Sequence, residues 1–307
     1  MRGVGAGRRV LDMKYRCLAG LFLLAFARLA AADGGASRVT DAIAAALEDA
    51  RVRVVTHVPA TGATEVFDAW CERTGAPKVY SFNEEVAYTV AHGAALAGVR
   101  AATVLKSHGF AKAANSVVDS ITAGTTAGFV VLVFHDRTGA HSDSVFDTRA
   151  FVKGTRILHL APRPGALYAE ILQAFRLSER YRSPVAVVVD SDDLGRPARW
   201  ARAPLPPPTA VYRRNVYQHL LCPLLAPYQH RLLAARMAGA PPPRDRPALP
   251  SVPDRLPPRF KATALQYAPL FDAFKQVKGP DAMVAGDAGT SSLFAFPPYE
   301  SIDVTTY

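Results

Sequence analysis

The chain has 307 residues, half of them apolar and a fifth charged. That excludes a disordered chain and supplies core-forming material for one large domain or two medium ones. Three widely spaced cysteines, Cys17, Cys71 and Cys222, exclude a zinc ribbon, an iron–sulfur motif and a disulfide framework. The formal charge is +10, carried by 28 Arg and only 8 Lys. Residues 1–30 hold a surplus of five positive charges and residues 196–260 a surplus of nine, so the rest of the chain has four more acids than bases. A nucleic-acid binder gathers basic charge on a folded face. Here the charge falls in a leader and a proline-rich stretch, where it reads as solvated Arg, and nucleic acid is not an expected partner.

Residues 1–35 read as a leader: basic over 1–16, apolar from Leu18 to Ala27, Ala-rich at 30–32. The layout resembles a secretory signal, and the apolar run is too short to span a bilayer. Arg28 directly after that run, and the enzyme-like remainder, favour a cytoplasmic protein, with export as the alternative.

From residue 38 the pattern alternates between helix and strand periods. Asp41 to Asp49 predicts an Ala-rich helix and Arg53 to His57 a short β-branched strand. A helix over Glu65 to Arg73 turns Phe67 and Trp70 inward, and Lys78 to Phe82 predicts a second strand. Residues 84–97 predict a helix apolar nearly all round, and therefore buried. Ala102 to Leu105, Phe129 to Phe134, Ile157 to Leu160 and Val185 to Val189 predict four further apolar strands, separated by helices near 111–123 and 166–180. Short, continuously apolar strands alternating with helices imply a parallel sheet covered on both faces. The expected fold class is α/β, a doubly wound, mostly parallel sheet of about six strands over residues 38–192.

After Asp190 the composition shifts. Residues 193–262 read as a proline- and arginine-rich linker, with semi-rigid spacers at 203–208 and 241–258. Between the spacers, Val216 to Met237 predicts a short helical region interrupted early by Pro223 and Pro227. A second αβ pattern occupies 263–307: a helix to Lys275, a strand at Met283 to Ala285, then a turn from Gly286 to Gly289.

The most informative segment is Tyr80 to Gly98, YSFNEEVAYTVAHGAALAG. Glu84 opens a helix directly after a strand. Ser81 with Glu84 has the spacing of a capping box, and acids are favoured at a helix N-terminus. Capping leaves Gly93 unexplained, since a glycine inside a helix costs stability unless something must approach closely.

These residues resemble the pyrimidine-binding domain of the thiamine-diphosphate-dependent 2-oxoacid enzymes, in which a glutamate opens a helix that carries a glycine nine residues later. The likeness is closest to the indolepyruvate:ferredoxin oxidoreductase α-subunit group. It rests on Asn83-Glu84-Glu85-Val86-Ala87, Gly93 to Gly98, Lys106 with Gly109, and Asp147-Thr148-Arg149, in the family's order. Gly286-Asp287-Ala288-Gly289, followed by Pro297-Pro298 and Asp303, is similar to the entry of the family's diphosphate-binding domain.

The resemblance implies thiamine diphosphate as cofactor and a 2-oxoacid as substrate, attacked by the cofactor ylide and decarboxylated. The reaction is expected to be oxidoreductase-like, with simple non-oxidative decarboxylation and an inactive partner-binding subunit as alternatives. Glu84 takes the pyrimidine role. Glu85 points about 100° away, as a solvated or salt-bridged side chain. His108, one position later than the family's usual histidine, is a candidate proton carrier. Gly93 and Gly109 belong to the cofactor's surroundings, and Gly286, Asp287, Gly289 and Thr290 to a diphosphate turn.

The loop with His141 and Ser142 is similar to a substrate-side loop, and a solvated turn around Gly139 explains it nearly as well. Mg2+ is expected with the cofactor. Its ligand motif, Gly-Asp-Gly with a later asparagine, is not carried, because asparagine occurs only at 83, 115 and 215. The family's two cofactor domains meet across subunits, so the expected partner is a second copy or a complementary diphosphate-binding subunit.

Overall fold

The computed structural model describes residues 37–219, 224–248 and 267–277. Five parallel strands form one sheet in the order β1-β2-β3-β5-β4: β1 (Val54–His57), β2 (Ala101–Lys106), β3 (Phe129–His135), β4 (Leu158–Leu160) and β5 (Val185–Asp190). Residues Phe129 to Phe134 of β3 and Val185 to Val189 of β5 are all buried. This follows from their continuous apolar runs, which can only be accommodated between two helical layers. Each large side chain so buried contributes roughly 1.5–3 kcal/mol.

One layer comprises α1 (Val39–Asp49), α2 (Ala63–Thr74) and α7 (Leu167–Tyr181). The other comprises α3 (Glu84–Leu96), α4 (Ser107–Lys112), α5 (Ala114–Ala123) and α6 (Thr148–Gly154). Gly62 precedes α2 with φ +84°, and a Cβ there would lie 2.7 Å from the Phe134 ring. Only glycine satisfies both the left-handed backbone and that approach.

The doubly wound parallel architecture matches the sequence expectation, with two corrections. The sixth strand, Lys78 to Phe82, does not form. Its only ladder-like bond is Ser81 N to His57 O at 3.0 Å, and Val79, Tyr80 and Phe82 are exposed, so no layer covers the segment. The helix near 111–123 is two helices, α4 and α5, meeting at Ala113.

The stretch after β5 is held against the domain. Arg202 Nε lies 2.9 Å from Asp49 Oδ2, Tyr168 Oη donates to the same carboxylate at 2.5 Å, and Leu205 N donates to Asp49 O at 2.8 Å. Burial pushes the Asp49 carboxyl up, but hydrogen bonds from Arg202 and Tyr168 outweigh it and hold it below its ordinary value.

Further on come α8 (Val216–His219) and α9 (Ala226–Ala238), with Pro227 in the first turn of α9, where its missing N–H costs nothing. Arg236 of α9 is bonded to the carbonyls of Ile121 and Thr122 at the C-terminal end of α5, where a cation is favoured. The arginines of this stretch are therefore not uniformly solvated, as composition had implied. A last helix, α10 (Tyr267–Val277), falls within the second predicted αβ pattern. The leader and Gly286, Asp287, Gly289 and Thr290 lie outside the described residues.

Arg100 ties three elements together. Its guanidinium binds Glu179 of α7 through Nε at 2.6 Å and Nη2 at 3.0 Å, and donates to Ala50 O at 2.9 Å and Pro206 O at 2.7 Å. Arg100→Met is expected to lower unfolding free energy by about 3 kcal/mol, the lower end for a broken buried pair, because Glu179 keeps partial access to water. Lysine lacks the planar fork and should not restore the loss. Urea denaturation of the three proteins checks this, and an unchanged midpoint would show that the cluster adds nothing.

Candidate functional site

The site lies at the C-terminal edge of β1, β2 and β3, where open α/β sheets place ligands. Glu84 is the first residue of α3. Its neighbour Asn83 caps the helix, with Oδ1 accepting from Glu85 N at 2.8 Å and Val86 N at 3.3 Å. This corrects the Ser81–Glu84 capping box. The cap is an asparagine, and the Glu84 carboxylate is not used by it. Thr56 of β1 fixes the helix to the sheet, its hydroxyl donating to Ala87 O at 2.7 Å.

Glu84 is half-buried, and among the described residues no donor is bonded to its carboxylate. Its side chain rests against Gly109: a Cβ at that position would lie 2.8 Å from Glu84 Cγ and 3.4 Å from Oε1. Two residues 25 apart in sequence, chosen separately from the motif pattern, are thus brought into contact. Glu85 turns away toward α5, as expected, but its partner is a hydroxyl: Ser116 Oγ donates to Oε1 at 2.9 Å. Burial, with Glu85 nearby, raises the pKa of Asp119.

Gly93 lies on the outer side of α3. It is exposed, and nothing in the described chain lies within 4 Å of where a Cβ would stand. It belongs to a bare face of α3 formed by Val86, Val90, Gly93 and Ala97, continued by Phe82, which is 87% exposed. The helix expected to be buried all round is buried only on the side of Ala87, Tyr88, Ala91 and Ala95. A run of apolar residues reports that a face will be covered, and says nothing about which molecule covers it.

His108 is the second residue of α4, adjacent to Gly109. It is exposed, with Nε2 3.0 Å from Ser144 Oγ and its ring 5.1 Å from Phe146, edge to face. Lys106, which ends β2, lies 3.9 Å from Asp136 and donates to the His141 carbonyl.

His141 and Ser142 serve a turn centred on Asp136, which is buried after β3. The Ser142 hydrogen bond, working against burial, leads the interactions that hold the Asp136 carboxyl at about 2, with the His141 and Gly139 amides and Lys106 adding to it. The Asp-Thr-Arg motif also has a local explanation. Asp147 caps α6 by accepting from Ala150 N at 2.9 Å, and Thr148 Oγ1 pairs with His135 Nδ1 at 2.8 Å.

Sequence reasoning passed over Asn83 as the cap and Asp136 as an anchor. The signals were an Asn followed by two acids, and an Asp three residues before a glycine in a turn. His57, at the end of β1, is fully buried and stacked 4.0 Å from the Phe67 ring, with neither ring nitrogen hydrogen-bonded. Burial lowers its pKa to about 4, so it is a neutral packing residue.

Among the described residues no cluster of three or more His, Cys, Asp or Glu is arranged to hold a metal ion. No helix of the described residues is long and apolar enough to cross a membrane.

Residues 45–194 match the family model described as pyruvate flavodoxin/ferredoxin oxidoreductase, thiamine-diphosphate-binding. The indolepyruvate oxidoreductase subunit IorA of Thermococcus kodakarensis is 34% identical over 145 residues, covering 46% of this chain and 22% of that protein. The IorA subunit of Methanothermobacter marburgensis is 34% identical over 148 residues, covering 47% and 24%. The match therefore spans under a quarter of the length of these curated relatives. Among solved structures, a 2-oxoglutarate:ferredoxin oxidoreductase from Magnetococcus marinus aligns with a TM-score of 0.48 at 17% identity, over 58% of this chain and 33% of that one.

Proposed function

From the match of residues 45–194 to the family model described as pyruvate flavodoxin/ferredoxin oxidoreductase, thiamine-diphosphate-binding, we propose that this chain supplies the pyrimidine half of a 2-oxoacid oxidoreductase site. The observation that carries the proposal is Glu84: a carboxylate at the start of α3, spared from capping by Asn83, seated against Gly109 and free of described donors. These residues fit the cofactor, because an acceptor held at a sheet's carboxyl edge, half out of water, is what an aminopyrimidine nitrogen requires. When bound, thiamine diphosphate supplies the electron sink for decarboxylation.

Glu84 holds the proton at the pyrimidine N1′, and Gly109 leaves the space in which the carboxylate sits. His108, exposed one residue away, is the candidate proton carrier on the substrate side. The face of Phe82, Val86, Val90 and Gly93 takes the complementary diphosphate-binding domain, from another copy or another subunit. Gly93 lets that partner come close. On the same reading, residues 263–307 begin a diphosphate-binding half, with Gly286, Asp287, Gly289 and Thr290 on the diphosphate, while the Mg2+ motif is not carried by this sequence.

The test is carbon dioxide release from a panel of 2-oxoacids by the native assembly, with thiamine diphosphate and Mg2+, with and without a low-potential electron acceptor. Release that requires both the cofactor and the acceptor is expected. Release without an acceptor would make the protein a simple decarboxylase. No cofactor-dependent release from any 2-oxoacid would make it a binding subunit.

A further inference from the structure

One side chain organises the loop that faces His108. Asp136 follows β3 directly, and accepts from Ser142 Oγ at 2.6 Å, His141 N at 2.9 Å, Gly139 N at 3.0 Å and Thr138 Oγ1 at 3.4 Å. Lys106 stands 3.9 Å from the same carboxylate and is bonded to the His141 carbonyl, so the loop is also tied to the end of β2. A buried carboxylate with its oxygens committed to the loop has little left to offer a substrate, and Asp136 is only 3% exposed.

Beyond these bonds the loop is held at the surface by Arg137, 3.3 Å from Asp190, and by Ser142 N donating to Gly139 O at 3.4 Å. Arg137, Asp143, Ser144 and Val145 are exposed. Yet it delivers two side chains to one ring: Ser144 Oγ lies 3.0 Å from His108 Nε2, and the Phe146 ring lies 5.1 Å from the same imidazole. Phe146 is backed by Phe151 at 5.6 Å, which in turn meets Phe110 of α4 at 6.1 Å. His108 is thus gripped by the loop on one side, while its neighbour Gly109 carries Glu84.

We propose that Asp136 is a positioning residue, which pins the β3–α6 loop so that Ser144 and Phe146 hold the His108 ring in one orientation, one residue along α4 from the Gly109 against which Glu84 rests. The proposal rests on the roles given above to Glu84 and His108. It assigns the geometry of the site to a side chain that is itself buried behind the loop. Asp136→Asn keeps the shape but replaces an acceptor with a donor facing amide and hydroxyl donors, so the turn loses its anchor.

The experiment uses the full chain with histidine and phenylalanine isotopically labelled, and His108→Gln to assign the ring. In the wild type, His108 and Phe146 ring protons give a mutual Overhauser contact. In Asp136→Asn that contact is lost, while the core contact of Tyr88 with Phe129, whose rings are 5.1 Å apart, persists as the control for folding. Ser142→Ala, which removes only the shortest bond, weakens the contact and serves if the first variant does not fold.

In the native assembly Asp136→Asn lowers kcat on the order of 10²-fold with KM held, the signature of a misplaced group. An unchanged His108–Phe146 contact in both variants overturns the proposal. So does a lost contact with unchanged kcat, because the ring's position would then not matter. Wild-type assembly with no thiamine-diphosphate-dependent turnover would sink the functional reading instead, and the ring contact would still decide whether Asp136 positions His108.

Discussion

Glu84→Gln in the complete assembly is expected to fold like the wild type and to turn over about 10²–10⁴-fold more slowly, the range for loss of a positioned acid–base group. Size, cap and packing are all kept. The helix N-terminus is satisfied by Asn83, and no described residue donates to the Glu84 carboxylate that the amide would replace. Acids at a first turn do favour the helix, so neutralising Glu84 costs roughly 0.3–1 kcal/mol, with Glu85 still in place. Thermal unfolding and turnover measured on the same preparations separate the two effects. Turnover near the wild-type value would remove Glu84 from the chemistry, and a collapse of stability would make it structural.

Gly109→Ala tests the same carboxylate from the other side. A methyl there would meet Glu84 Cγ at 2.8 Å, well inside contact distance. Something must yield, and the most yielding neighbour is the half-exposed glutamate side chain, not backbone. Alanine is also the better helix former by about 1 kcal/mol. The variant is therefore expected to be at least as stable as wild type while its turnover falls on the order of 10²-fold, the scale set by displacing a reacting group by about 1 Å. Adding Glu84→Gln to it should cost little more than Glu84→Gln alone, because both changes act on one group. Turnover measured for the two single variants and the double variant decides this, and independent, multiplying losses would show that Gly109 acts through something else.

The parts of the fold legible in sequence were those set by the period of apolar residues. β1, β2, β3 and β5 were located by short apolar runs, because a strand covered on both faces has few polar residues to blur its limits, and the edge strand β4 by Ile157, Leu158 and Leu160 around an exposed His159. Lys78 to Phe82 has the same composition, but it runs past the edge of β1 with its side chains uncovered. Composition alone does not distinguish it from a paired strand. The site was partly legible. Glu84 and Gly109 were picked out by a resemblance of order and spacing, and the fold puts them in contact. Their contact depends on the crossover from α3 through β2 to α4, which no local pattern encodes. Asp136 was passed over for the same reason: its importance lies in donors gathered from four following residues, Thr138, Gly139, His141 and Ser142, and from Lys106 at the end of β2. Gly93 shows the reverse case, where an unusual residue was correctly marked as odd but its surroundings in this chain are open space.

Arg38 and Pro197 form an isolated antiparallel bridge, and Ala198 N donates to Ser37 O at 2.8 Å. The start of α1 and the chain just past β5 thus meet at one point of the sheet domain. A unit whose two ends meet in this way can be spliced into a longer polypeptide at one point without prising strands apart, and here the stretch that follows stays packed on the body through Arg202 and Leu205. For a cofactor site whose halves come from separate units, this matters. On the function proposed above, the pyrimidine half can be carried on different chain architectures with its internal geometry, Glu84 against Gly109, kept.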